Sequence, residues 1–242
     1  MARLIMKVGG TSLADTERIR AAAQTIARAA SDGHQVVAVL SAQGHMTDEL
    51  VQKAEQIHPA FPPRELDMLL SVGEQISVSL CAAALAGLHC PAVSLTGWQA
   101  GLLTDSRHTQ AEVLTLCSDR IERELAQGKV VLVAGFQGMD AAQDITTLGR
   151  GGSDTTAVAL AVLLGARRCV IYTDVDGVYT ADPRTHPEAE KLDYLTYDQM
   201  LALAAAGAQV LHERCVRLAK AHGLPIEVRS AFHAVPGTIV GP

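Results

Sequence analysis

Short apolar runs alternate with longer amphipathic runs along almost the whole chain, and this alternation is the feature that most constrains its fold. Six runs are rich in Val, Ile and Leu and have the length of buried strands, whereas the runs between them have helical periodicity. The predicted strands are residues 3–8, 35–40, 91–95, 129–134, 169–173 and 226–229. The predicted helices are residues 15–30, 47–57, 66–86, 109–126, 153–164 and 197–222, the last broken at Gly207. This order predicts a mostly parallel sheet covered by helices.

Composition excludes several classes of protein. The chain has 242 residues, 48% of them hydrophobic, which is enough for a substantial core. Its formal net charge of -6 argues against a nucleic-acid partner, because no basic surface is left to neutralise phosphates. The apolar runs at 80–88 and 157–166 are shorter than the roughly 20 residues that span a bilayer, and charge interrupts residues 1–7 before a signal-peptide core can form. These features predict a cytoplasmic protein without a membrane partner.

The five cysteines are spread singly along the chain and have no neighbouring histidine at metal-ligand spacing. We expect reduced, mostly buried thiols. Hydrophobic periodicity lapses over residues 137–152, and this stretch is predicted to separate two lobes.

Glycines follow the first four predicted strands, beginning with Gly9 and Gly10 after the first. In open α/β sheets ligands bind outside the carboxyl ends of the strands, where glycine lets backbone N–H groups approach them. The loops are therefore predicted to converge on one site. Residues 7–12 (KVGGTS) place a lysine beside two glycines and two hydroxyls, a combination that suits phosphate oxygens. The order of these residues matches neither a Walker loop nor a dinucleotide fingerprint. A tight turn with an incidental lysine is the alternative.

Residues 149–156 (GRGGSDTT) lead into an alanine-rich helix, for which Ser153 or Asp154 is a predicted N-cap. Arg150, flanked by glycines, can present its planar fork to a carboxylate. A capped helix alone does not explain why an arginine stands among three glycines. Glu74, within residues 71–75 (SVGEQ), is a weaker candidate for a binding residue, and the alternative is an ordinary surface glutamate. A role in binding gains weight only if another motif requires a carboxylate to receive an ammonium group.

Residues 172–184 (YTDVDGVYTADPR) follow a predicted strand and combine aspartates, tyrosines and an arginine on a turn-rich loop. Such groups suit a nucleotide or hydrated Mg²⁺. A calcium loop is excluded, because the acidic residue required at its twelfth position is replaced by Thr185.

Together these segments resemble the aspartate kinase catalytic domain of the amino acid kinase family. The resemblance runs from about residue 4 to 240, and its other parts are residues 40–42, 70–74, 207–212 and 228–230. It implies a three-layer αβα sandwich with an open, mainly parallel sheet. It also implies an amino-acid-binding lobe at about 1–148 and a nucleotide-binding lobe at about 149–242.

The resemblance implies an enzyme that transfers the γ-phosphoryl group of MgATP to the side-chain carboxylate of L-aspartate, in lysine, threonine and methionine biosynthesis. Lys7 and Asp154 would be the catalytic residues. Aspartate would be surrounded by Ser41, Thr47, Glu74, Arg150, Ser153 and Asp154. ATP would be bound by Lys7, Gly9, Gly10, Thr173, Asp174, Tyr179, Asp182, Arg184 and Gln209, with Mg²⁺ held mainly by the phosphates. A carboxylate is already ionised at neutral pH, so the reaction needs cations and positioning rather than a general base.

The sequence departs from the family pattern at two places. Gln209 stands where many members have lysine, which removes one possible phosphate cation, and we expect Gln209→Lys to tighten ATP binding or raise turnover modestly. Aspartate kinases typically continue into a pair of ACT regulatory domains, whereas this sequence ends at Pro242. We therefore expect no feedback inhibition by end-product amino acids, unless a separate regulatory chain supplies it. The family also implies a homodimer through a helical face.

Two alternatives remain open from the sequence. One is a related kinase acting on another small acid, such as glutamate or an acylated amino acid. The other is a non-catalytic subunit that binds a nucleotide or an amino acid, and the glutamine at position 209 favours this alternative.

Overall fold

The computed structural model describes residues 2–181, 183, 185–186, 188–208 and 210–242. Its main sheet has eight strands in the order β12-β14-β13-β9-β1-β2-β6-β3. These strands are β1 (Arg3–Val8), β2 (Gln35–Leu40), β3 (Ala92–Leu95), β6 (Val130–Ala134), β9 (Cys169–Thr173), β12 (Tyr194–Thr196), β13 (Ile226–Ser230) and β14 (Thr238–Gly241). All six strands predicted from the sequence lie in this sheet. The pairing is parallel except between β13 and β14.

Helices cover both faces of the main sheet, so the predicted αβα fold class is confirmed. The helices are α1 (Thr16–Ser31), α2 (Met46–Ile57), α3 (Pro63–Leu70), α4 (Val72–Gly87), α5 (Asp119–Ala126), α6 (Gly152–Leu163), α7 (Tyr197–Ala205) and α8 (Glu213–His222). α1 and α4 pack on one face, whereas α6 and α8 pack on the other. β2 and β6 are buried almost throughout because helices lie on both sides of them, as a parallel sheet requires. All five cysteines are free thiols.

Two smaller sheets lie beside the main one and were not predicted. The first has the order β5-β4-β7-β8 and the second pairs β10 with β11. Their strands are β4 (Leu102–Thr104), β5 (Val113–Leu116), β7 (Gln137–Met139), β8 (Ile145–Thr147), β10 (Val178–Tyr179) and β11 (Lys191–Leu192). Strands of two to four residues are too short to show a period in the sequence. The predicted lobe boundary at 137–152 contains β7 and β8, and the division into two lobes stays a prediction.

The predicted helix at 109–126 is wrong in its first half. β5 pairs antiparallel with β4 over this stretch, and α5 begins only at Asp119. Leu114, in the middle of β5, is 68% exposed. The N–H of Ala111 donates to the carbonyl of Thr147, and the N–H of Glu112 donates to the Asp105 carboxylate. These contacts hold the backbone extended.

The helical stretch Pro63–Gly87 is longer than the predicted helix at 66–86 and is divided into α3 and α4 at Ser71. It is the stretch that, by length and composition, could cross a membrane, with a mean hydropathy of 1.6, among the residues that the structure describes. However, α4 packs on the main sheet and on α1, and it buries Glu74. We therefore assign the stretch to the protein core. The predicted break at Gly207 is present, since α7 ends at Ala205 and α8 begins at Glu213.

Helix α1 shows how local sequence fixes an element of this fold. The Asp15 carboxylate accepts a hydrogen bond of 2.8 Å from the N–H of Arg18, and Ile19, Ala23 and Ile26 form the buried stripe. Because a side-chain cap satisfies one orphan N–H group, we expect Asp15→Ala to lower the free energy of unfolding by about 1 kcal/mol. Chemical denaturation measures this, with the exposed mid-helix substitution Gln24→Ala as control. Equal stability of the two variants would contradict the capping role.

Candidate active site

The carboxyl ends of β1, β2 and β6 open into a cleft of about 690 Å³. β1 lies between β2 and β9 in the sheet. The chain runs from β1 to β2 on one side and returns to the other side of β1 only at β9, so the strand order reverses at β1. Ligands bind at such switch points in open parallel sheets. Every residue predicted to surround the acceptor lines this cleft, together with two of those predicted to bind ATP. The lining residues among the predicted ones are Lys7, Gly10, Ser41, Thr47, Glu74, Arg150, Ser153 and Asp154.

A close ion pair lies at the centre of the cleft. The Lys7 Nζ, near the end of β1, is 2.7 Å from the Asp154 Oδ1 in the first turn of α6. The two side chains are only 13% and 11% exposed, so solvent screens the attraction weakly. Asp154 Oδ1 makes no aligned hydrogen bond within the described part of the chain, which makes the contact chiefly a charge pair. Asp154 therefore positions the ammonium of Lys7 over the cleft.

Helix α6 begins differently from the prediction. Its N-cap is Gly151, in the left-handed conformation with φ of 70°, and no side chain caps it, so the assignment of Ser153 or Asp154 as N-cap is wrong. A Cβ at Gly151 would lie 2.2 Å from the Cβ of His212. An uncapped helix start leaves N–H groups available to an anion. Gly152, Ser153 and Asp154 all line the cleft, so this positive end of the helix faces it.

Arg150 is exposed and lies between Gly149 and Gly151, both with positive φ. The carbonyl of Leu148, two residues before Arg150, accepts a hydrogen bond of 2.5 Å from Arg214 Nη1, on α8. The backbone on the N-terminal side of Arg150 is thus anchored, and its guanidinium reaches the cleft from a short glycine-flanked turn.

Glu74 is buried beneath the cleft with one oxygen engaged. Its Oε1 accepts a hydrogen bond of 3.0 Å from the N–H of Ala42, and its Oε2 has no hydrogen-bond partner among the described residues. Gly73 makes this approach possible, because a Cβ there would lie 2.7 Å from the Cβ of Ala42. The alternative of a surface glutamate is excluded, since Glu74 is 3% exposed.

Burial raises the pKa of Glu74 to about 8, from an ordinary value of 4.5. The folded chain then holds this proton more tightly than the unfolded chain does. Glu74 therefore lowers the free energy of unfolding progressively as the pH rises from about 4.5 to about 8. A group that opposes folding when it is ionised is a candidate for binding a cation.

Phe136 and His212 line the cleft but were not among the predicted site residues. Phe136, two residues after the end of β6, has a φ of 71°, which is uncommon for a bulky residue. Its N–H donates to the Thr156 Oγ1, and its carbonyl accepts from the N–H of Leu148, so the surroundings hold this conformation. His212 lines the cleft from the start of α8. Gly135 was the sequence signal that could have pointed to Phe136. For His212 the sequence contained no signal beyond its place in the motif at residues 207–212.

Of the other residues predicted to bind ATP, Gly9, Thr173, Asp174 and Tyr179 are described and are not among the residues that line the cleft. Thr173 and Asp174 stand at the carboxyl end of β9, where the Thr173 hydroxyl donates to the Asp174 carboxylate. The Tyr179 hydroxyl donates to Asp176. The N–H of Gly9 donates to the carbonyl of Tyr172, and the role of Gly9 in binding ATP stays a prediction. The remaining predicted residues, Asp182, Arg184 and Gln209, lie outside the described residues.

One group of side chains in the described part of the chain has metal-ligand spacing, and it lies away from the cleft. His108, Asp140 and Asp144 offer ligand atoms within 4.8 Å of one another. However, the His108 ring bonds to Asp67, Asp144 pairs with Arg64, and Asp140 accepts backbone N–H groups. These groups are already satisfied by the protein, and we assign no metal to them.

Comparison with known proteins finds aspartokinases that match almost the whole of this chain. The aspartokinase of Mycobacterium bovis is 52% identical over 241 residues, which cover 99% of this chain and 57% of that protein. The aspartokinase of Thermus thermophilus is 50% identical over 240 residues, with 59% of its length covered. The chain therefore spans somewhat more than half the length of the curated relatives it matches. The expectation of insensitivity to end products stays a prediction.

Solved structures agree with these relatives. The aspartate kinase from Synechocystis superposes with a TM-score of 0.90 at 49% identity, covering 99% of this chain and 40% of that one. Aspartokinase III of E. coli, in complex with aspartate and ADP, superposes with a TM-score of 0.89 at 28% identity, covering the whole of this chain and 64% of that one. The model of the amino acid kinase family matches residues 2–230. This chain belongs to the amino acid kinase family.

Proposed function

We propose that this chain transfers the γ-phosphoryl group of ATP to the side-chain carboxylate of L-aspartate. One observation carries the proposal: Lys7, Arg150 and Glu74 all line one cleft, and one oxygen of buried Glu74 has no hydrogen-bond partner among the described residues. This set matches a small acid that carries an ammonium as well as carboxylates. The similarity to aspartokinases over 99% of the chain supports the same substrate.

Each residue has a physical role in this reaction. Glu74 receives the ammonium of aspartate and becomes ionised as it does so, since the new charge pair offsets the burial of its carboxylate. Arg150 holds a carboxylate in its planar fork. Lys7, positioned by Asp154, lies where it can neutralise charge as two anions are brought together. No general base is needed, because the attacking carboxylate is already ionised at neutral pH.

We propose that Mg²⁺ enters with ATP. Because the Asp154 carboxylate is engaged by Lys7, the phosphates of ATP would be the main ligands of Mg²⁺. The uncapped start of α6 would donate hydrogen bonds to phosphate oxygens. When bound, the metal supplies further neutralisation of the phosphoryl oxygens. The region of Thr173, Asp174 and Tyr179 would receive the nucleoside, a role that also stays a proposal. The cytoplasmic location stays a prediction as well.

The acceptor is tested by measuring ADP release with aspartate, glutamate and N-acetylglutamate. We expect aspartate to be preferred, and we expect Lys7→Met to reduce kcat by about 10²- to 10³-fold, because one positioned cation is removed. Lys53→Met, an exposed substitution on α2, is the matched control and should keep full turnover. Turnover with none of the three acids by the unmodified chain would refute the proposal.

The role of Glu74 predicts a pH dependence. Below about pH 8 the carboxyl is protonated in the free cleft and must lose its proton to bind an ammonium. We therefore expect the KM for aspartate to fall as pH rises towards 8, by up to about tenfold per unit, and then to level off. Glu74→Gln should raise this KM and abolish the trend. Steady-state kinetics from pH 6 upwards measure both, and the same slope in the variant would contradict the assignment.

We also propose a homodimer. The exposed side chains of Val72, Ile76 and Leu80 form a stripe along α4, and a groove of about 470 Å³ lies between α4 and α1. Such a patch favours association. We expect Leu80→Glu to halve the mass measured by size-exclusion chromatography with light scattering, whereas Leu114→Glu on β5 should leave it unchanged. A monomeric mass for the unmodified chain would contradict this proposal.

A further inference from the structure

The carboxylate of Asp67, on α3, is fully buried and lies outside the cleft lining. It accepts three donors: the Thr147 hydroxyl at 2.6 Å, the N–H of Thr109 at 2.9 and 3.0 Å, and the His108 Nδ1 at 3.0 Å. A buried carboxylate is tolerated only when such donors replace water. Asp67 is therefore the meeting point of a helix, a loop and a strand.

Two of these donors belong to the segments that hold Arg150. Thr147 ends β8, three residues before Arg150. Thr109 has a φ of 69°, and its carbonyl would lie 3.0 Å from a Cβ at Gly149, so it packs directly against the turn. The N–H of Ala111 donates to the Thr147 carbonyl and closes the loop onto the strand. The Asp67 carboxylate thus fixes the base of the Arg150 turn.

On its other side, Asp67 is connected to Glu74. α3 runs into α4 with only Ser71 between them, and Glu74 follows Asp67 by seven residues, about two helical turns. The Gln137 side chain donates to the Ser71 carbonyl at 2.7 Å and holds this junction. A shift of α3 relative to β8 would therefore change the distance between Glu74 and Arg150.

We propose that Asp67 is a positioning residue that sets the spacing between Glu74 and Arg150 and thereby the length of the acceptor acid. This inference rests on the proposed function, in which those two groups hold the ammonium and a carboxylate. Aspartate and glutamate differ by one methylene, so a change of about 1 Å in this spacing is large enough to alter the choice between them. Asp67 touches neither substrate in this scheme.

The test compares Asp67→Asn with Glu124→Gln. Glu124 is another buried carboxylate, held by Arg120 and Lys129 far from the cleft, and is the matched control. For Asp67→Asn we expect the KM for aspartate to rise about tenfold or more, the preference for aspartate over glutamate to fall, and the KM for ATP to stay within about twofold. For Glu124→Gln we expect lower thermal stability at most, with unchanged kinetics.

Thr147→Val provides a second variant if Asp67→Asn does not fold. This substitution keeps the side-chain volume at position 147 and the carboxylate of Asp67, and it removes one hydrogen-bond donor to that carboxylate. It should therefore change the KM for aspartate and the preference for aspartate over glutamate in the same direction but less strongly. A folded variant at either position with an unchanged KM for aspartate and unchanged acid preference would overturn the proposal. Equal losses for ATP and aspartate would also overturn it, because they indicate a purely structural role. If the unmodified chain phosphorylates neither acid, the proposed function fails first and the role of Asp67 fails with it.

Discussion

The ion pair between Lys7 and Asp154 is the interaction around which the rest of the structure is arranged. It joins the central strand of the sheet to the first turn of α6, a helix whose first ten residues are all buried. Neither charge would be stable at this depth without the other, because removing one partner leaves a buried charge uncompensated. The pair thus requires β1 and α6 to keep their relative position, and it holds a cation at the carboxyl edge of the sheet.

Glu74 shows the opposite relation between stability and function. Its free oxygen is buried without a partner in the described part of the chain, and its ionised form opposes folding. Phe136 adds a second local strain through its positive φ. Such groups persist at sites where a ligand completes the interactions that the protein leaves open. The cleft therefore combines one charge pair that is satisfied before any ligand binds with one carboxyl that is not.

The main sheet could be predicted from the sequence because its strands are long apolar runs whose pattern is local. The first half of the helix predicted at 109–126 is wrong for the opposite reason. The backbone N–H groups there donate to Asp67, Asp105 and Thr147, and hydrogen bonds to polar groups leave no trace in the hydrophobic periodicity of the sequence. The strands of the sheet β5-β4-β7-β8 were not predicted because they are too short to show a period in the sequence. The N-cap of α6 failed because Gly151 must fit against His212, a contact between distant residues.

For the site, the sequence identified residues but not which of their groups are already engaged. The resemblance named Gly9 and Tyr179 as ATP-binding residues, yet the Gly9 N–H is bonded to Tyr172 and the Tyr179 hydroxyl to Asp176. Hydrogen-bond donors that the protein itself satisfies have little to gain from a phosphate. The start of α6 differs, because no side chain caps it and it faces the cleft beside Lys7. Within the proposed function, phosphate oxygens are therefore assigned to the start of α6 rather than to the N–H of Gly9.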